Sequence, residues 1–245
     1  MKMLNIRKIE SNGNLINNEK DWLRYAPPKE KDQWKKGHSA QEFSSFILEI
    51  KNNSFVFAVN PEAFENAIKE CTNCNEFDVY PEYKTELETD GFDFYNKNGR
   101  QHDGLMVGSD IVIGIEAKAT EPLDSYLGDK PIYDEKPSHK KRYHDMTRAI
   151  TGKTAFECEK LRYQLLSGTA GTVIEAHKRG AKKALFLLIT LKTDLVKNQM
   201  IERNERDIKD FIKFLKKEED GSYHTQLSDS LGVKLFIKHI VVEMK

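Results

Sequence analysis

Asp103, Glu116 and Lys118 have the residue types and the spacing to handle phosphate chemistry. Glu116 and Lys118 flank a single alanine in "IVIGIEAKAT", residues 111–120. Ile111, Val112, Ile113 and Ile115 make the first half of that stretch a short apolar strand. Charges on such a strand are costly when desolvated without compensation. Either the strand reaches water at Glu116, or the pair belongs to a site that needs it. Asp103 precedes it in "HDGLMV", and Gly108-Ser109-Asp110 between the two apolar runs signals a hairpin.

Hairpin geometry decides whether the three residues meet. With Gly108-Ser109 as a two-residue turn, Asp103 lies opposite Gly114 and diagonal to Glu116. With Ser109-Asp110 as the turn, Asp103 lies opposite Glu116. Both registers put the carboxylates on one face, roughly 4.5 to 8 Å apart at Cβ. Lys118 shares that face because strand side chains repeat every second residue. A three-residue turn sends Asp103 to the other face. His102, in a regular strand, points away from Asp103.

Two carboxylates a few ångströms apart repel, and a hard divalent cation cancels the repulsion. Mg²⁺ takes one or two carboxylates, waters and a phosphate oxygen. It lowers the pKa of a bound water and screens charge building on phosphate. A neighbouring lysine orients the water or stabilises the developing charge. That combination suits phosphodiester hydrolysis. The bland alternative is a salt-bridge ladder at the wet end of a hairpin, worth little energetically.

The surrounding pattern supplies elements to hold these residues. Residues 1–37 are polar and read as a loop-like lead-in, with room for a short N-terminal strand. "HSAQEFSSFILEIKN" reads as a helix, with Ser39 as N-cap, Glu42 completing a capping box, and Phe43, Phe46, Ile47 and Ile50 on one face. "NPEAFENAIKECT" reads as a second helix, with Asn60 as cap and Pro61 in its first turn. Strands follow from Phe77. Residues 120–153 are polar and read as a surface insertion with some short helix. "TAFECEKLRYQLLSGTAGTVIEAHKRG" reads as a long helix or helix pair, with Phe156, Leu161, Leu165, Ala170, Val173 and Ile174 on its apolar face and Gly180 as its stop. Gly168 and Gly171 within it imply close packing on a sheet. "KALFLLITL" reads as a central strand buried on both faces. An amphipathic helix and a final strand close the order. The expectation is a mixed α/β domain over residues 38–245, with a central sheet flanked by helices.

Composition excludes some functions. The 245-residue chain is 38% hydrophobic and 32% charged, with a net charge of zero. A whole-surface electrostatic grip on nucleic acid is not expected. A local basic patch remains available in "KPSHKKRYH", where Lys136, Lys140, Lys141, Arg142 and His144 could contact a phosphate backbone. No apolar run is long enough for a membrane span and no secretory signal core is present, so the expectation is a cytoplasmic protein. Cys71, Cys74 and Cys158 are too sparse for a zinc site and read as reduced thiols.

"HDG", a hairpin and "IEAK" together resemble the active-site signature of the PD-(D/E)XK nuclease superfamily, the restriction-endonuclease-like fold. Asp103, Glu116 and Lys118 match its pattern residue by residue. The superfamily core, α-β-β-β-α-β, matches the order from the helix at 39–51 to the strand at 184–191, with a C-terminal helix and strand added. His102 stands where the superfamily's name has proline. A second likeness, over most of residues 34–191, is to a family of bacterial domains of unknown function. It rests on "WKKGHSAQE", "HDGLMV…IGIEAKATEPL" and "LRYQLLSGTAGTVIEA".

The superfamily resemblance implies a Mg²⁺-dependent nuclease, with Mn²⁺ as a substitute and DNA as the expected substrate. It implies Asp103 and Glu116 on the metal, with Glu42 from the first core helix as a third carboxylate. Lys118 is implied in catalysis, and Gln164 on the later helix reaches the site. Arg162, near Gln164, joins Lys140, Lys141 and Arg142 as a candidate substrate contact. Cutting both strands of a duplex would call for a homodimer. The alternative is a non-catalytic module of the same fold, binding nucleic acid or a protein partner, for example in a defence or toxin-antitoxin system.

Overall fold

The computed structural model describes residues 4–29, 33–54, 61–94, 99–129, 137–196 and 198–245. Within these the chain runs β1 (Asn5–Ser11), β2 (Asn14–Leu15), α1 (Glu19–Tyr25), α2 (Ser39–Asn52), α3 (Glu62–Lys69), β3 (Glu76–Thr85), β4 (Glu88–Thr89), β5 (Phe92–Asp93), β6 (Arg100–Val107) and β7 (Ile111–Lys118). It continues through α4 (Pro137–Thr151), α5 (Tyr163–Lys178), β8 (Lys183–Lys192), α6 (Asn198–Ile212), β9 (Lys216–Lys217), β10 (Tyr223–His224), α7 (Gln226–Ser230) and β11 (Lys234–Glu243). The fold is mixed α/β. A nine-stranded sheet has the order β2-β1-β3-β6-β7-β8-β11-β10-β9. Strand β8 runs parallel to both neighbours, β7 and β11, while β6 is antiparallel to both of its neighbours, β3 and β7.

Apolar runs without alternation need cover on both faces, and both faces are covered. One core joins Trp22, Phe43, Phe46, Ile47, Phe64 and Ile68 of α1–α3 to Ile111, Ile113 and Ile115 of β7. The other joins Tyr143, Met146, Leu165, Leu166 and Val173 of α4 and α5 to Leu105, Val112, Phe186 and Leu188. The expected apolar face of α2 is buried throughout. Gly168 and Gly171 do make the close approach expected of them. A Cβ on Gly168 would collide with the Phe186 ring, and one on Gly171 would lie 2.7 Å from His102 Nε2.

Four sequence expectations change. The first 37 residues are not simply a loop: β1 pairs parallel with β3, and Ile6, Ile9, Ile16 and Trp22 are buried. An irregularity between Ile6 and Lys8 breaks the two-residue period that would have revealed β1. Among the described residues of 120–153, α4 is packed into the core and not a surface insertion, burying Tyr143, Met146 and Ile150 at helical spacing. The helix after it starts later than the apolar pattern suggests: α5 begins at Tyr163, and Phe156 is 67% exposed in the preceding turns. The capping box on α2 is replaced. Glu121 Oε1 accepts from both the backbone and the hydroxyl of Ser39 (3.0 and 2.6 Å), and Glu42 reaches back to Gly37 N (2.7 Å). Asn60, expected to cap the second helix, lies outside the described residues.

Gly114, in the middle of β7, sets how closely α5 approaches the sheet. A Cβ there would collide with Thr172 Oγ1 and lie 3.1 Å from the His102 ring. Overpacking of this kind costs about 1–3 kcal/mol. Gly114→Ala is therefore expected to lower unfolding free energy by about that amount in urea denaturation. An unchanged midpoint would show that α5 yields freely.

Candidate active site

The hairpin register is the one in which Ser109 and Asp110 form the turn. Gly104 pairs with Ile115 and Val107 with Val112, and Gly108 N closes the turn on Ile111 O at 2.9 Å. Continuing that register puts Asp103 opposite Glu116, but the ladder stops one pair short. There Asp103 Oδ2 accepts from Ala117 N at 2.7 Å, so a side chain takes the place of a β6 carbonyl.

The strand on the other side of β6 breaks at the same level. Pro81 pairs with Gly104 and Tyr83 with His102, while Glu82 between them has φ of 51°. Left-handed backbone is uncommon for a residue with a Cβ. Its effect is to change the side-chain phase. Tyr80 and Tyr83, three apart, pack on the same core. Likewise Gly104 lies under Phe43 of α2, while His102, two residues earlier, packs against Gly114 and Gly171 on the α5 side. A regular strand would put those two on one face. His102 therefore lies on the face that Glu116 shares with α5, not on the far face expected for it.

Glu116 is the centre of the cluster. It is 1% exposed, so the pair with Lys118 is no surface ladder. Arg100 Nη2 donates to Glu116 Oε2, and Gln164 Nε2 donates to Oε1. Lys118 Nζ lies 2.7 Å from the same Oε1. Gln164, in the first turn of α5, also accepts from Asp124 N at 3.0 Å and so ties the loop after β7 to the site. Glu121 bridges the backbone of Ala119 to Ser39, fixing the end of β7 against the start of α2.

Electrostatics follow from burial and crowding. Burial pushes the Asp103 carboxyl up to about 7, with Glu116 adding to the rise and Lys118 and Arg100 opposing it. Burial also raises Glu82, to about 8, helped by Asp103 and Glu116 and opposed by a hydrogen bond from Gln101. For Lys118, burial disfavours the charge, but Glu116 and Asp103 outweigh it and its pKa rises. Lys118 is therefore an ammonium near neutral pH and unsuited to act as a base. Burial and the nearby Arg100 hold the His102 imidazole well below its usual range, so it is neutral.

A family model matches residues 15–243. The chain belongs to DUF6946, a domain of unknown function. The match runs from β2 through β11 and so includes the whole cluster. No curated protein and no solved structure is significantly similar to the chain.

This DUF6946 chain brings together Asp103, Glu116, Lys118 and Gln164, as the sequence suggested, and adds Glu82 and Arg100. It does not bring Glu42. That carboxylate is directed to Gly37 N, before α2, and Glu82 supplies the third acid instead. Arg162 is also committed elsewhere. It is 3% exposed, its Nε donates to Asp207 Oδ2 at 2.6 Å, and its guanidinium stacks 3.5 Å from the Tyr126 ring centroid. It holds the loop by donating to Asp124 O at 3.0 Å, rather than facing a substrate. Arg142 donates to the Tyr143 hydroxyl at 2.9 Å and lies 5.7 Å from the Tyr163 ring, next to Gln164 in sequence. Lys141 is exposed and paired with Asp145 on its own helix. Lys136 and the side chain of Lys140 lie outside the described residues.

Arg162 and Asp207 form a buried pair, and removing one partner of such a pair costs about 3–5 kcal/mol. Arg162→Ala is expected to show that loss in chemical denaturation, and a loss under about 1 kcal/mol would reassign Arg162 to the surface. Glu82 gives a pH signature. An unfolded glutamate ionises near about pH 4.3, whereas folded Glu82 ionises near about 8. The folded state thus binds the extra proton between those values, and stability falls as pH rises through that window. Glu82→Gln removes the penalty. Its melting temperature in EDTA should match the parent near pH 4.5 and exceed it increasingly up to about pH 8. A pH-independent difference would contradict the assignment.

Proposed function

We propose that this chain is a metal-dependent nuclease of the PD-(D/E)XK type, hydrolysing phosphodiester bonds in nucleic acid, with DNA as the substrate class. The observation that carries the reading is the convergence of half-buried Asp103 and Lys118 on buried Glu116 at the open end of the β6–β7 hairpin. The order α2-β3-β6-β7-α5-β8, with β3-β6-β7-β8 adjacent in the sheet, fits the α-β-β-β-α-β core of that superfamily.

The donor set fits magnesium. Among the described residues no group of three or more His, Cys, Asp or Glu side chains is placed to hold a metal by itself. Magnesium needs only one or two carboxylates and completes its shell with water and phosphate oxygens. Asp103 and Glu116 would hold it. Their crowding, which raises Asp103, is the repulsion a dication relieves. When bound, Mg²⁺ lowers the pKa of a water and screens charge on the phosphate. Lys118, kept charged by its two carboxylate neighbours, stabilises negative charge developing on the phosphate. Gln164 fixes the orientation of Glu116. Arg142 and Lys141 on α4 remain candidates for backbone phosphates.

A second reading, a non-catalytic module that binds nucleic acid or a protein partner, is favoured by one observation. The Glu116 carboxylate is already satisfied by Arg100, Lys118 and Gln164. Incubation of supercoiled plasmid and single-stranded DNA with the protein and Mg²⁺ or Mn²⁺ separates the two. The nuclease reading expects metal-dependent cleavage, lost in Asp103→Ala and reduced about a hundredfold or more in Lys118→Ala. Cleavage that persists in both variants, or that survives EDTA, would overturn it.

A further inference from the structure

The role of Arg100 is not explained by holding Glu116 in place, because Lys118 and Gln164 already do so from the other oxygen. Arg100 takes Oε2 with one nitrogen, Nη2, and its side chain is 14% exposed. Its Nε is buried without a hydrogen-bond partner among the described residues. A buried, unsatisfied donor on a charged group is expensive, and the guanidinium fork is built for paired anionic oxygens. Close packing keeps it on this face: a Cβ on Gly171 would lie 3.4 Å from Arg100 Cγ. The carboxylate it grips is the same one that the nuclease reading assigns to magnesium.

We infer that Arg100 stands in for the divalent cation on Glu116 in the metal-free protein, and that the cation displaces it and frees it to bind a substrate phosphate. The inference rests on the nuclease reading and extends it. A carboxylate oxygen cannot serve a guanidinium and a metal ion equally well, so the two cations compete. Displacement exposes the fork to an anion carried in beside the metal, where Nε and Nη2 together meet two phosphate oxygens. The site is thus self-neutralised at rest and opens its phosphate contact only when loaded. Arg100 would be a catalytic residue in the loaded state, touching the phosphate, and the resting competitor otherwise.

The test uses Mn²⁺ alone, titrated calorimetrically into metal-free full-length protein. Arg100→Ala should bind Mn²⁺ about tenfold or more tightly than the parent, as expected for loss of a charged hydrogen bond to the same oxygen. Arg100→Gln, which can still donate one amide hydrogen to Glu116 without the charge, should also bind more tightly and serves if Arg100→Ala does not fold. Lys84→Ala, which removes an exposed cation from the strand beside Arg100 that does not touch Glu116, should leave Mn²⁺ affinity unchanged. In the presence of Ca²⁺, both Arg100 variants should bind a fluorescent oligonucleotide at least about tenfold more weakly than the parent. Parent binding of Mn²⁺ with no gain in either Arg100 variant overturns the inference and leaves the nuclease reading standing. An equal gain in Lys84→Ala overturns competition in favour of a general field effect. Failure of parent and variants alike to bind millimolar Mn²⁺ overturns the metal site and the inference with it. Undiminished oligonucleotide binding by the Arg100 variants overturns the phosphate role.

Discussion

A carboxylate sealed inside a protein must find its hydrogen bonds there, and Glu116 does so from three directions. Arg100 comes from the neighbouring strand, Lys118 from its own strand, and Gln164 from the helix laid across both. The glutamine is itself held. Gln164 is pinned by the backbone of Asp124, and that loop is pinned by Arg162, which is anchored on Asp207 of α6. The loop between β7 and α4, helix α5 and helix α6 are thus coupled to one side chain. Meeting the demand of that group adds a polar tie to the β7–β8 pairing and the apolar core that join the second half of the chain to the hairpin.

The charge arrangement is locally self-contained, in keeping with a chain of zero net charge. Glu82, Asp103 and Glu116 face Arg100 and Lys118 within one cluster that is half-buried around the buried Glu116. Burial and mutual repulsion leave two of the three acids easily protonated near neutrality. The lysine remains charged because both nearest carboxylates favour it.

How much of this could be read from residues alone depended on whether contacts were local. The β6–β7 hairpin joins residues a few positions apart through a two-residue turn, so Asp103, Glu116 and Lys118 could be brought together on paper. The face of α2 and the burial of β8 were equally plain, the first from an unbroken helical period and the second from a continuous apolar run. Glu82 was hidden for the opposite reason. It meets Asp103 across the β3–β6 pairing, whose connection carries the separate β4–β5 hairpin instead of joining the two strands by one short turn. Arg100 was hidden because it precedes Asp103 by three positions, which strict alternation sends to the other face. The left-handed Glu82 and the interrupted ladder at Asp103 cancel that rule. Glu42 was misplaced for a related reason: its sequence spacing fits a cap equally well, and Glu121, distant in sequence, took Ser39 instead. The length and burial of α4, where only short helix is expected, are hidden because charged residues dilute Tyr143, Met146 and Ile150, and burial against α5 comes from tertiary packing rather than from composition.

The Ser109–Asp110 turn sits at the far end of the hairpin from the cluster, and its geometry is itself locked. Asp110 accepts from Thr72 Oγ1 and Lys183 Nζ with its side chain, and from the backbone of Lys182 and Lys183 with its carbonyl. Because strand side chains alternate, a single residue gained or lost there would rotate every side chain of one strand to the opposite face. Asp103 and Glu116 would then be separated by the thickness of the sheet without either residue changing. Chain length in this remote turn is consequently under the same constraint as the identities of the acids. Over evolutionary time the turn should tolerate substitution more readily than insertion or deletion.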